Sequence, residues 1–140
     1  MQKILDWETK LSRYIEWHRH RPFEYGASDC TTFVLGAIDT QYGTDFTSTV
    51  VIWQSREDYL AMIHVAGGAE YAVKDFAEAI GMRQIAPAFA KRGDILVIDT
   101  PLGYMASLCV GATAAMMGDK GLLIKSLDTL DIKSAWTMET

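Results

Sequence analysis

Histidine is scarce in this chain and unevenly placed. Three occur among 140 residues, at positions 18, 20 and 64, and none follows. A reaction that draws its general base from the C-terminal half therefore has no imidazole to use. Cysteine is equally sparse, with Cys30 and Cys109 alone. Two thiols give neither a disulfide framework nor a structural zinc set, and they fit a chain made in a reducing cytosol; a single bridge between them stays open at this level. Positive charge is in deficit too, 13 Lys and Arg against 18 Asp and Glu for a net charge of -5. That excludes a nucleic-acid binder working through a broad basic surface. The one basic run, residues 18–21, reads as a helix C-terminus, where cations complement the dipole. No apolar stretch has the length of a membrane span, and the opening MQKILDWETK scatters charges where a signal peptide has its apolar segment. The expectation is a protein made in the bacterial cytoplasm without a signal peptide and without membrane insertion. There is no internal repeat and no glycine-rich phosphate loop, so neither a cofactor nor a metal is expected.

What is present is apolar residue in a helical, then a strand, rhythm. With 49% hydrophobic residues, the chain suits one domain over residues 1–140. Ile4, Trp7, Leu11, Tyr14, Ile15 and His18 share one helical face, predicting a helix over 3–19 that Pro22 ends. His18 thus continues an apolar stripe, whereas His20 falls out of phase. Ser28 or Asp29 caps a second helix from Cys30, with Phe33, Val34, Ala37 and Ile38 inward and Gly43 as its stop. Residues 50–53 form an apolar patch too short to assign. Ser55–Asp58 has the form of a capping box opening a third helix, with Leu60, Ile63 and His64 near its buried side and Gly67–Gly68 closing it. A fourth helix buries Val73, Phe76, Ala77 and Ile80 before Gly81.

Beyond Met82 the pattern changes. Residues 95–98 are an unbroken apolar run that reads as a strand covered on both faces. Residues 108–112, 115–117 and 122–127 read as short strands, with Gly118–Gly121 as a hairpin turn, and 135–138 as a final edge strand. Helices first and a mostly antiparallel sheet second make an α+β fold. The Cys30 helix can then lay its apolar face on the sheet. Cys30 sits in phase with that face and on the first turn, so two effects oppose each other. The helix N-terminus favours a thiolate, whereas burial in an apolar wall favours the neutral thiol.

Pro22-Phe23-Glu24-Tyr25-Gly26, then Asp29-Cys30, then Gly93-Asp94 leading into an apolar strand, resemble in order the motifs of the NlpC-like cysteine peptidases of the papain-like fold. With Tyr42-Gly43 and Asp45 at the helix end and Ala135-Trp136 near the C-terminus, the chain resembles more closely a group of short phage and prophage proteins built on that plan. The resemblance implies an NlpC-like domain with Cys30 as nucleophile, its backbone N–H as an oxyanion donor and Tyr25 lining the cleft, beside the Asp29 of the motif. Aligning the glycine that follows the family's base onto Gly111 sets Met105 in the place of the histidine, and shifts of one or two residues offer only Tyr104, Ala106 or Ser107. The expectation that follows is a catalytically degenerate domain with a structural or assembly role in a phage tail tip or baseplate, contacting other tail proteins in the virion. The alternative is an active cysteine hydrolase acting on peptidoglycan peptides, with His18, or else His20 or His64, as a displaced base. A third reading is an unrelated cytosolic α+β domain in which Cys30 is a small packing residue.

Overall fold

The computed structural model describes residues 1–139. Five helices precede a six-stranded sheet: α1 (Trp7–His18), α2 (Cys30–Tyr42), α3 (Phe46–Val50), α4 (Arg56–Ala66) and α5 (Ala69–Ala79), then β1 (Arg83–Ile85), β2 (Ile95–Thr100), β3 (Gly103–Cys109), β4 (Thr113–Gly118), β5 (Gly121–Ser126) and β6 (Asp131–Thr137). The strands lie in the order β1-β6-β2-β3-β4-β5, and every neighbouring pair is antiparallel. This is the α+β arrangement that the change of rhythm at Met82 predicts.

The centre of the molecule is α2. Phe33, Val34, Leu35 and Ala37 are all fully buried, so the helix is covered on more sides than a single stripe requires. A helix that is apolar nearly all round belongs inside, and here α1 and α3 flank it while β3 and β4 lie beneath. Gly36 makes the α1 crossing close enough for the Tyr14 hydroxyl to donate to the Phe33 carbonyl at 2.7 Å; any Cβ at position 36 would run into that phenol. The sheet separates two apolar clusters. Ile95, Val97, Ala106, Leu108, Ala115 and Met117 face the helices. Leu96, Ile98, Cys109, Ala114, Met116 and Ala135 face the other side, partly covered by the segments that carry Ala90, Leu127 and Leu130. The alternation along 95–98 explains why that strand reads as an unbroken apolar run.

Several boundaries differ from the sequence reading, each for a tertiary reason. Helix α1 begins at Trp7, not at residue 3, and Asp6 before it is left-handed with φ of 61°. Residues 3 and 4 are held elsewhere: the Ile4 N–H donates to the Gln41 carbonyl, and the Lys3 ammonium reaches Glu139 at 3.3 Å and lies over the Trp7 ring. The short α3 arises from a cap supplied by another helix. Asp39 on α2 accepts from the Phe46 and Thr47 N–H groups and from the Thr44 and Thr47 hydroxyls. The C-terminal strand begins at Asp131 and lies inside the sheet, because β1, a strand absent from the apolar pattern, adds outside it. No helix among the described residues is long and apolar enough to cross a membrane.

Candidate functional site

The N-terminus of α2 is assembled from the Pro22–Cys30 segment, and most of its polar chemistry is committed to holding that segment in shape. Ser28 donates its hydroxyl to the Pro22 carbonyl at 2.6 Å, and the Ser28 N–H donates to the Glu24 carbonyl at 2.8 Å. Asp29 is the N-cap. One carboxylate oxygen accepts from the Thr32 N–H at 2.8 Å, while the Asp29 N–H donates to the Thr32 hydroxyl at 2.8 Å, a reciprocal capping box. Its other oxygen accepts from the Gly26 N–H and from the Trp53 indole N–H, both at 2.7 Å. Asp29 is 1% exposed, so the carboxylate is a buried staple joining the helix start, the preceding turn and the 50–53 segment. Gly26 belongs to the same device. Its φ of 80° is left-handed, and a Cβ there would stand 2.5 Å from the Trp53 carbonyl oxygen.

Cys30 follows directly, packed against the helix-facing core. Among the described residues its sulfur donates to one acceptor, the Met117 carbonyl on β4 at 3.9 Å. Part of the residue still reaches solvent, yet the thiol is densely surrounded. Burial, reinforced by the Asp29 charge beside it, pushes its pKa up to about 12; the residue's own backbone N–H at the helix start opposes this and loses. The competition left open by the sequence is thereby decided for the neutral thiol, a poor nucleophile near neutral pH.

An aromatic wall stands next to it. Tyr25 packs on Phe23 with ring centroids 4.9 Å apart and on Tyr59 at 5.4 Å, and Tyr59 in turn meets Trp53 at 5.4 Å. Tyr25 thus lies in the group of rings beside the thiol, as a packing residue. Burial raises the Tyr59 phenol to about 12, opposed by a polar contact with Thr31 and reinforced by Cys30 and Asp29. Sequence reasoning missed Tyr59, because it placed Leu60, Ile63 and His64 on the inner side of α4. The stripe is 59, 62, 63 and 66, all half-buried, whereas Leu60 and His64 are exposed. The i, i+3, i+4, i+7 spacing from Tyr59 was the available signal.

No imidazole joins the thiol by a hydrogen bond. His18 is 3% exposed, and its Nδ1 donates to the Tyr14 carbonyl of its own helix at 2.8 Å. Its ring is wedged between Tyr14 at 4.3 Å and Phe33 at 5.2 Å. Burial, with some help from the Arg21 charge, holds its pKa below the usual histidine value, against the effect of the Tyr14 hydrogen bond. His20 and His64 are exposed. The side chains of β3 alternate between the two faces of the sheet. Met105 looks to the far side of the sheet, where it shares a hollow with Ile98 and Met116. The β3 residues on the helix-facing side are Tyr104, Ala106 and Leu108. Extending the β3–β4 register from Leu108↔Ala115 sets Ala106 beside Met117, the residue whose carbonyl meets the sulfur. Ala106 offers only a methyl group on that face. Cys109 belongs to the opposite cluster, so the two sulfurs are on different faces of the sheet and both thiols are free. Among the described residues, no three His, Cys, Asp or Glu side chains gather as a metal site.

A family model described as a domain of unknown function, DUF6950, matches residues 2–138. The chain belongs to that family. No curated protein matches it. The match spans the helices and the sheet together, so the Pro22–Cys30 segment and the strands facing it lie within one DUF6950 domain.

Proposed function

We propose that this DUF6950 domain is a non-catalytic relative of the NlpC-like cysteine peptidases, serving as a structural or assembly component of a phage or prophage tail tip or baseplate. The order of motifs supports the kinship: Pro22–Gly26, Asp29-Cys30 at a helix start, Gly93-Asp94 before a buried strand, and Ala135-Trp136 in an adjacent strand. One observation carries the loss of catalysis. Among the described residues, the acceptor that the Cys30 sulfur donates to is the Met117 backbone carbonyl, which cannot take a proton away at neutral pH. The segment that serves as a nucleophile elbow in a working hydrolase is here explained by fold alone, since Asp29, Gly26 and Ser28 all have structural partners.

The test is a Cys30→Ala substitution in the intact virus or prophage. Particle yield and infectivity unchanged within about twofold, with no release of peptidoglycan stem peptides by the wild-type protein, fit an assembly role. Hydrolysis of such peptides by the wild type that disappears in the variant overturns it, and assigns the domain to the hydrolases.

A further inference from the structure

Two surface features complement each other. The first is a groove between the 50–53 segment, α4 and α5, with adjoining lobes of about 270 and 490 Å³. Ile52, Met62, Val65 and Phe76 form its apolar lining. Its two charged lining residues, Asp58 and Asp75, are both acids. Ile52 is 80% exposed and Val65 87% exposed, an apolar surface that a monomer gains nothing by displaying. The second feature is the end of α1. Trp17 is 65% exposed, and the Arg21 guanidinium lies 4.5 Å from the centre of its ring. Arg13, one turn before Trp17, is also exposed, while Arg19 is already paired with Glu16 at 2.9 Å. An exposed tryptophan flanked by arginine has the composition of an interface anchor.

We propose that the occupant of the groove is the Trp17 corner of a second copy of this chain. The indole fills the apolar lining, and the Arg13 and Arg21 guanidinium groups meet the Asp58 and Asp75 carboxylates. The net charge of -5 repels two copies in most orientations, so charge selects the one that sets basic corner against acidic groove. The two surfaces are different, so each contact sets the corner of one copy in the groove of another. Repeated head to tail it grows until it closes a ring or extends a filament, and made reciprocally about a two-fold axis it closes a dimer. Trp53, whose indole donates to Asp29, lines both lobes, but the contact does not involve the Cys30 thiol and stands whether or not the domain is catalytic.

The experiment is sedimentation velocity on the full chain across a concentration series, with Trp17→Ala and Val65→Lys separately and then mixed in equal amounts. Both positions are largely exposed, so the fold is retained, and circular dichroism verifies it. Wild type is expected to associate with rising concentration. Each variant is expected to lose at least about tenfold in association constant. The mixture is expected to form a dimer and stop there, because Val65→Lys still offers its tryptophan and Trp17→Ala still offers its groove. A wild type that stays monomeric throughout, association that survives Trp17→Ala, or a mixture no larger than its components overturns the proposal.

Discussion

The start of α2 and the outer helix α4 are neighbours that treat their side chains in opposite ways. At the start of α2, Asp29 accepts three hydrogen bonds from three separate segments while almost wholly buried. Helix α4 has no fully buried residue, although it is well capped by Ser55 and closed by Gly67. One region is polar yet enclosed, and the other is apolar yet open. The difference teaches where unassigned chemistry remains. The eye-catching motif is consumed by its own architecture, whereas the plain helix borders the groove that still has surface to offer.

Substitutions sharpen this contrast, and the largest effect is expected at Asp29. Asp29→Ala removes a helix cap and strands the Trp53 indole N–H and two backbone N–H groups, at a cost of about 4 kcal/mol. Urea denaturation measures it, and a cost below about 1 kcal/mol shows that the staple is incidental. The next effect is alkaline. The Cys30 and Tyr59 pKa values are both raised to about 12 by folding, so the folded state holds protons that the unfolded chain gives up. Stability from this source is complete below about pH 9 and is lost as pH rises toward 12, by about 1.4 kcal/mol per unit for each group at the steepest. Cys30→Ala removes the earlier part of that slope, which thermal melts between pH 8 and 11 reveal; an unchanged slope contradicts a buried neutral thiol. The smallest effect belongs to α4, where Leu60→Ser is expected to shift stability by no more than about 0.5 kcal/mol because Leu60 is exposed. A large loss there shows that α4 is a core helix after all.

Much of the fold was legible in the residues. The stripes of α2 and α5, the Asp29 and Ser55 caps, the Gly43 stop and the apolar run 95–98 depend on local spacing, which a sequence displays directly. What escaped it depends on partners distant in the chain. The start of α1 is set by Lys3 and Glu139, α3 by Asp39, and the interior place of β6 by a three-residue strand that has no apolar rhythm. Around the site, the helix start at Cys30 with Asp29 as its cap was legible, and His18 is buried, in keeping with its place on the apolar stripe. Tyr59 was missed by one position of helical phase. The balance between helix dipole and burial at Cys30 required the three-dimensional surroundings of the sulfur.

The central claim is that the Cys30 thiol is neutral and unassisted. Its most direct test is the rate of Cys30 alkylation by iodoacetamide from pH 5 to 11 under native conditions, with Cys109→Ala as background and His18→Gln as the partner variant. The account predicts negligible reaction at neutral pH, a rate that climbs only above about pH 10, and the same profile in both proteins. A fast reaction already level at pH 6 and abolished by His18→Gln contradicts it.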